Sequence, residues 1–317
     1  MPVLRARTAP PVSEACPPPD RQSGWVGPGR PGPRALAAAP LALPALALAR
    51  LDLVLLSVAR DLRARWRGSL LGMLWALVQP LLLFAVYAFL FTQVLGLRMV
   101  PAGASPAAAM GVYMFTGTVV WASFAEGVTR ATSSVLDHRH LVAKVRFPSE
   151  LLPLFPTLSA QVTLLLSLAA FVAATLVTPV WRAPGAALAW VPLLCLLQVA
   201  MGWGLGLFLA AAHVFVRDTL PFVTAALTAG MFATPIFWVP SPEALPGVER
   251  WLPLIEANPL YHLLYAWRAV LMSGEPASVF ARPVAGSVAV FGAWALASLA
   301  LGCAVFRRVQ RDLADEV

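Results

Sequence analysis

Long apolar blocks separated by short polar connections dominate the chain from residue 69 onward. Six such blocks lie at about 69–96, 110–131, 152–179, 186–214, 219–239 and 284–306. Each is near the length of about twenty apolar residues that a helix needs to cross a hydrocarbon layer of roughly 30 Å. The pattern therefore predicts an all-α integral membrane protein with six transmembrane helices.

The segment before the first block has a different periodicity. Over residues 50–67, RLDLVLLSVARDLRARWR, apolar residues recur at helical spacing, and Arg60, Arg63 and Arg67 lie on the opposite side. This pattern is typical of an amphipathic helix in a membrane interface. We predict a cytoplasmic interface helix over residues 50–67. It joins the first span directly through Gly68, so that a push on it would tilt that span.

Residues 1–49 differ from everything that follows. They contain eleven prolines interleaved with Ala, Arg and Gly, and such a composition predicts a disordered tail. A cleaved signal peptide is the alternative for residues 41–48, but prolines interrupt this short apolar run and a basic segment follows it.

Composition excludes a water-soluble domain. The chain has 317 residues, of which 59% are hydrophobic and 12% charged, against about 45–50% and 25% in soluble globular domains. The net charge of +8 would suit nucleic acid, but the charges lie between the apolar blocks. We therefore expect anionic lipids and a protein on the cytoplasmic face as partners, and no nucleic acid.

Orientation follows from the basic residues in the connections. If the interface helix is cytoplasmic, thirteen Lys and Arg residues lie inside, and five lie outside, namely Arg98, Arg182, Arg250, Arg268 and Arg282. The positive-inside rule then places both termini in the cytoplasm, with a six-span domain over 68–311 and a cytoplasmic tail over 312–317. Residues 259–272, in the outer connection between spans five and six, are apolar but too short to cross. They predict a re-entrant or interfacial helix.

Motifs for catalysis are missing from the sequence. It contains no phosphate-binding G-x-x-x-x-G-K-[ST] loop, no H-E-x-x-H and no G-x-S-x-G. We therefore predict no catalytic, cofactor-binding or metal residues, and a transporter of this kind needs a separate source of energy. Glu126 is the one candidate for a proton relay within the spans, but Arg130 follows one turn later, which favours an i,i+4 ion pair. Gly202, Gly204 and Gly206 predict close packing between helices.

Several segments together resemble one family, the polysaccharide and polyol-phosphate export permeases of the ABC type-two exporters, which includes exporters of O-antigen, capsule and teichoic acid. They are Arg60-Asp61, RWRGSLLGMLWALVQP, LVAKVRFPSELLP, VRDTLPFV, TPIFW and ANPLYHLLYAWRAVLMSG, in this order between residues 50 and 311.

The resemblance implies a function and partners. It implies a homodimer of six-span subunits in the bacterial cytoplasmic (inner) membrane, each engaging a separate ATPase subunit that holds ATP and Mg. It also implies a lipid-linked polysaccharide or polyol-phosphate polymer as substrate, moved from the cytoplasmic to the outer face. A drug or small-lipid exporter of the same type remains the alternative within transport. A membrane-embedded transferase is the alternative from another class, but the acidic residues form no D-x-D pair.

Three sets of residues are candidates for this function. For coupling to the ATPase they are Arg60, Arg63, Arg67, Leu141, Lys144, Arg146 and Pro148; for the conduit Phe84, Tyr87 and Phe91; for an outer gate Pro235, Trp238, Tyr261 and Tyr265.

Each set has a physical rationale and a simpler alternative. Basic side chains around a short coupling helix suit a docking joint, although a lipid anchor or a plain positive-inside loop would look the same. Aromatic rings at i, i+3 and i+7 offer stacking faces for sugar rings, although stripes of this kind also pack against lipid. Pro235 predicts a broken, protein-lined segment whose freed carbonyls find partners, and the aromatic residues after it also fit an interfacial belt.

Overall fold

The computed structural model describes residues 39–65, 67–94, 96, 106–139, 148–177, 185–242, 245–272 and 283–316. All regular structure in these ranges is helical. The α-helices are α1 Ala39–Ala49, α2 Leu51–Arg65, α3 Trp75–Ala88, α4 Pro106–Asp137, α5 Leu154–Val177, α6 Val191–Phe215, α7 Thr219–Ala233, α8 Leu252–Ala257, α9 Pro259–Leu271 and α10 Val284–Glu316. Helix α3 continues as π-helix Phe89–Val94, and 3-10 turns cover Gly72–Leu74, Ser149–Leu151, Ala186–Trp190 and Val248–Trp251.

Three helical stretches in the described ranges are long and apolar enough to cross a membrane. They are Ser149–Thr175, Ala186–Phe215 and Val284–Gln310, and they coincide with the third, fourth and sixth predicted spans. Helices α1 and α2 together pass the same test but are bent by 78° where they meet. The prediction of an all-α integral membrane protein is therefore confirmed, with three to four spans recognisable by length and composition.

The fifth predicted block is helical over only part of its length. Helix α7 has 15 residues and ends at Ala233, so it is about 22 Å long, less than the hydrocarbon thickness. Thr234 is extended, with φ −90° and ψ 139°, because a residue that precedes proline is driven out of the helical region. Pro235 therefore ends the helix where the sequence predicts a break.

The start of the chain requires a correction. The prediction of disorder over residues 1–49 is wrong for Ala39–Ala49, which form α1. Leu43 is fully buried in an apolar cluster that also contains residues of α2, α6 and α10. The alternating Ala and Leu residues give this segment an apolar surface that docks, and Pro40 falls in the first turn, where proline is tolerated. Residues 1–38 lie outside the described residues.

The interface helix also differs from its prediction. It forms as α2 but ends at Arg65, and residues 67–71 are not helical. Gly68 and Gly72 have left-handed φ values of 81° and 49°, which glycine adopts without strain. Helix α2 packs against α5, and no continuous helix connects it to α3. The predicted direct push on the first span through Gly68 is therefore not supported by this geometry.

The glycines of α6 mark its closest approaches to other helices, as predicted. A Cβ on Gly202 would lie 2.8 Å from the Thr157 side chain of α5, and one on Gly206 would lie 2.7 Å from Ala131 of α4. Gly204 and Gly302 face each other where α6 crosses α10, and a Cβ on either one would overlap the backbone of the other helix. Small residues allow such backbone contact, so α4, α5, α6 and α10 form one tightly packed block.

Candidate functional site

Two polar sites interrupt the apolar interior, one at each end of α4. We call Tyr113, Pro235, Ile236 and Arg268 the outer arginine site. We call Asp61, Arg65, Glu126 and Arg130 the inner charged cluster. The words outer and inner follow the orientation that the sequence predicts.

The outer arginine site forms where α7 breaks. The last helical hydrogen bond of α7 runs from the Thr234 N–H to the Gly230 carbonyl, and beyond it Thr234 and Ile236 are fully buried. Buried carbonyl groups without a donor are expensive in a membrane protein. The carbonyls of Pro235 and Ile236 therefore need partners from outside their own segment.

Arg268 of α9 supplies those partners. It is 3% exposed, and its Nη1 donates to the Pro235 carbonyl oxygen at 2.6 Å. Its Nη2 donates to Ile236 O at 3.1 Å and its Nε to Tyr113 O at 3.2 Å. The guanidinium carbon lies 3.4 Å from the centroid of the Tyr113 ring, a cation–π geometry. One side chain thus joins α4, α9 and the broken end of α7.

Tyr113 strengthens the same junction from α4. Its hydroxyl donates toward the carbonyl oxygens of Pro235 and Trp238, at 3.2 and 3.0 Å. Gly117, one turn further along α4, leaves the space that the guanidinium occupies, because a Cβ there would overlap Arg268 Nη2.

Asn258 closes the site at the start of α9. Its side-chain oxygen accepts from the Leu260 N–H at 3.0 Å and caps the helix. Its Nδ2 donates to Thr234 Oγ1 at 2.9 Å. The helix that carries Arg268 is therefore tied at its first turn to Thr234, the residue that directly follows α7.

The predicted gate residues fall on both sides of this junction. Pro235 and Trp238 belong to the broken segment, and the freed carbonyls find donors as the sequence indicates. Tyr261 and Tyr265 lie on α9, each 8% exposed, with ring centroids 6.0 Å apart. Their role in a gate stays a prediction.

Arg268 is the residue that sequence reasoning missed. It is counted above as one of five outer charges, but it is buried inside the fold. The available signal was its position as the one formally charged residue in the apolar run 259–272, because an ionisable group in such a segment marks a functional position by default.

The inner charged cluster joins α2 to α4. Arg130 donates to Glu126 at 3.4 Å, so the predicted i,i+4 ion pair is confirmed. Each of these residues has a second partner that the sequence did not reveal: Arg65 Nη2 lies 2.5 Å from Glu126 Oε2, and Asp61 pairs with Arg130. The four side chains are 23–36% exposed, so none of them is fully buried.

A cavity of about 670 Å³ lies beside this cluster. Helices α2, α3, α4 and α5 surround it, and hydroxyl and amide side chains add to the charged wall. The neutral polar residues at the wall are Gln79, Thr118, Ser123, Thr163 and Ser167. This region of the bundle is therefore lined by polar and charged side chains, whereas the outer arginine site is buried.

The predicted coupling residues divide into described and undescribed ones. Arg60, Arg63 and Arg67 are exposed and line a groove of about 420 Å³ with an apolar floor that includes Leu53 and Phe155. Pro148 directly precedes the 3-10 turn Ser149–Leu151. Leu141, Lys144 and Arg146 lie outside the described residues.

The conduit candidates lie on the first span, but their side chains are outside the described part. Phe84 and Tyr87 belong to α3, and Phe91 to the π-helix that continues it. Their role as a conduit stays a prediction.

Comparison with known proteins gives consistent matches. A family model described as ABC-2 type transporter matches residues 52–272. A relative from Myxococcus xanthus named O-antigen export system permease protein RfbA is 31% identical over 247 residues, covering 76% of this chain and 88% of the relative. Two relatives of the same name from Klebsiella pneumoniae are 26% and 25% identical over 224 residues, each covering 70% of this chain and 81% of the relative.

Proposed function

The chain belongs to the ABC-2 type transporter family, and from this membership we propose that it is the permease subunit of an ATP-driven exporter of a lipid-linked polysaccharide or polyol-phosphate polymer. The observation that carries the proposal is the match to permeases named for O-antigen export over four fifths or more of their length. The polymer moves from the cytoplasmic to the outer face of the bacterial inner membrane.

The proposed topology has six spans with both termini in the cytoplasm. Three spans are those recognisable by length and composition. The other three are α3 with its π-helical continuation, the 32-residue α4, and α7 with the broken segment after it. Helices α8 and α9 then lie between spans five and six on the outer face, and α2 lies along the inner interface.

A second copy of the chain completes the transporter, with one ATPase subunit bound to each copy. Support for a homodimer comes from α7, where only Val223 is buried and Phe222 and Phe232 are 73% and 61% exposed. Aromatic side chains exposed along one helix suit contact with another helix as well as with lipid. The aromatic residues Phe84, Tyr87 and Phe91 line the conduit in this proposal.

ATP and Mg bind to the separate ATPase, which docks on the inner face. The joint consists of the connection over 137–150, with Leu141, Lys144, Arg146 and Pro148, and of Arg60, Arg63 and Arg67 on or just after α2. Support comes from these three arginines, since they are exposed and none of the ion pairs among the described residues involves them. At the other end, Pro235, Trp238, Tyr261 and Tyr265 form the outer gate.

The proposal is tested by reconstitution with the partner subunit. The purified chain is expected to hydrolyse no ATP, and the complex with a co-expressed ATPase is expected to hydrolyse it and to export glycan. Hydrolysis by the homogeneous chain alone, or a complex that hydrolyses ATP without moving glycan, would contradict the proposal.

The joint is tested separately by reversing two charges. Lys144→Glu with Arg146→Glu is expected to weaken ATPase binding by about 2–5 kcal/mol, as for a partly desolvated contact, while the protein still inserts correctly. Co-purification with tagged ATPase and staining of surface glycan measure the two effects. Arg308→Glu, in the last turns of α10, is the matched control on the same face. Equal binding by the double variant and the parent would show that these residues only determine topology.

A further inference from the structure

Helix α2 does not continue in line with a helix on either side in the described residues. On its N-terminal side α1 meets it at a bend of 78°. On its C-terminal side residues 67–71 are not helical, and a Cβ on Gly68 or Gly72 would meet nothing within 4 Å. The packing contacts of α2 with its neighbours are therefore a main route by which a force on α2 reaches the transmembrane helices.

Those contacts differ between the two helices beside α2. Its backbone packs closely against α5, and Arg65 Nη1 also donates to Thr163 Oγ1 of α5 at 3.2 Å. Its polar connection to α4 is made by the long side chains of the inner charged cluster. Glu126 is shared by Arg65 and Arg130, and Arg130 is shared by Glu126 and Asp61, so the charges alternate in one continuous chain.

The spacing of the charges specifies a single register between α2 and α4. Each helix contributes one acid and one arginine four residues apart, and the acid of each faces the arginine of the other. If either helix slipped by one turn, Asp61 would face Glu126 or Arg65 would face Arg130. Like charges in contact are unfavourable, so the cluster opposes sliding and not only separation.

Helix α4 carries both polar sites of the subunit. Tyr113 precedes Glu126 by 13 residues, which is about 20 Å along a helix axis. At that end Tyr113 contacts Arg268 and the broken segment at Pro235. A displacement of α4 at its inner end therefore moves one side of the outer arginine site.

We propose that Asp61, Arg65, Glu126 and Arg130 are positioning residues that lock α2 to α4 in one register, so that displacement of α2 by the bound ATPase reaches the outer arginine site through α4. The inference rests on the proposed function, because it takes the ATPase as the source of the displacement.

The test separates coupling from folding. In the complex with ATPase, Glu126→Gln and Asp61→Asn remove pairs and leave side chains of the same size, and Glu126→Asp keeps the charge. Asp52→Asn is the matched control, an exposed acid in the first turn of the same helix. We expect both neutral variants to hydrolyse ATP as the parent does but to export roughly fivefold less glycan per ATP, the lower end of typical coupling effects. Glu126→Asp and Asp52→Asn are expected to keep the parent ratio.

Inversion of all four charges in the cluster is expected to restore the coupling that the neutral variants lose. Asp61→Arg, Arg65→Glu, Glu126→Arg and Arg130→Asp together restore all three pairs with opposite sign and leave the number of basic residues unchanged. We expect this variant to export more glycan per ATP than either neutral variant. Two results would overturn the proposal. One is a folded, ATPase-bound inverted variant that exports no more glycan per ATP than the neutral variants do. The other is a Glu126→Gln variant that exports as much glycan per ATP as the parent.

A measurement of the distance between α2 and α4 in the chain alone tests the register without an export assay. Spin labels at Leu56 of α2 and Ala122 of α4, both exposed, are placed in a variant without the three native cysteines. If the charged cluster fixes the register, the distance distribution is narrow in the labelled parent and broader in its Glu126→Gln variant. Equally narrow distributions in the parent and in the variant would contradict the proposal. Failure of the parent complex to export glycan would instead count against the proposed function.

Discussion

Arg268 and Arg130 lie toward opposite ends of the same helix bundle and are stabilised in opposite ways. Arg268 is 3% exposed, and its guanidinium contacts three backbone carbonyls and an aromatic ring. No ion pair among the described residues involves it. The Arg130 side chain is 36% exposed and lies between two carboxylates.

The difference determines how easily each site is broken. The Tyr113 hydroxyl also reaches the Pro235 carbonyl, but the loss of Arg268 removes the side-chain donor of the buried Ile236 carbonyl and weakens the bonding of its neighbours. Water and salt compete for the charges of the inner cluster, so its pairs separate and re-form at small cost. The outer site therefore fixes the structure, whereas the inner cluster sets the relative position of parts that move.

Removal of Arg268 is expected to cause the largest loss of stability, and it tests the difference between the two sites most directly. Arg268→Met removes the hydrogen bonds from Arg268 to three buried carbonyl groups, of which the Pro235 carbonyl keeps the Tyr113 hydroxyl, at about 1–3 kcal/mol for each bond lost, and is expected to prevent stable folding. The stability of Arg268→Lys is expected to lie between those of the parent and Arg268→Met, because an ammonium group cannot donate to three carbonyls while it stacks on the face of the Tyr113 ring. Recovery from membranes and thermal unfolding in detergent measure both variants.

Arg250 is the control for this prediction, since it is an exposed arginine on the same outer segment. Arg250→Met is expected to leave recovery and unfolding temperature unchanged. If Arg268→Met behaved in the same way, the outer site would not hold the broken segment in place.

A smaller effect tests what else holds the inner region together. Leu43→Ala removes a fully buried side chain of α1 and is expected to lower the free energy of unfolding by about 2–5 kcal/mol. Leu48→Ala, at a position that is 71% exposed on the same helix, is expected to have almost no effect. Deletion of residues 1–49 is then expected to destabilise the protein, because it removes α1.

Thermal unfolding of the two variants and of the deletion measures these effects. Equal unfolding temperatures for Leu43→Ala and Leu48→Ala would mean that α1 does not dock as described.

The smallest effect is expected in the inner charged cluster. Glu126→Gln is expected to lower stability by less than about 1 kcal/mol at low salt, as for a partly exposed pair. Near 1 M salt the difference from the parent is expected to vanish, because the Debye length is then only about 3 Å. The loss of stability in Arg268→Lys is expected to persist at the same salt concentration. A loss that also disappeared at high salt would contradict the contrast between the two sites.

Local sequence patterns predict the parts of this molecule that depend on neighbours along the chain. The apolar blocks predict helices, Pro235 predicts the end of α7, and the spacing of Glu126 and Arg130 predicts their ion pair. The glycines of α6 predict its closest helix contacts. In each case the physical cause lies within one or two helical turns of the residues concerned.

The parts that escaped prediction depend on tertiary pairing. Arg268 contacts Tyr113 across 155 positions of sequence, and Asp61 meets Arg130 across 69. Neither separation leaves a periodic signal in the sequence. Helix α1 escaped for another reason, because the proline content of residues 1–49 outweighed the short run of alanines and leucines that docks through Leu43.

The contact between Gly204 and Gly302 has a consequence for how the whole subunit moves. Where two backbones touch, neither helix can rotate or slide past the other without overlap, and α6 and α10 are held in this way. The contacts at Gly202 and Gly206 add α5 and α4 to the same unit. These four helices are therefore expected to move as one stiff unit, and any opening within the described part of the subunit is expected outside that unit, for example beside α7.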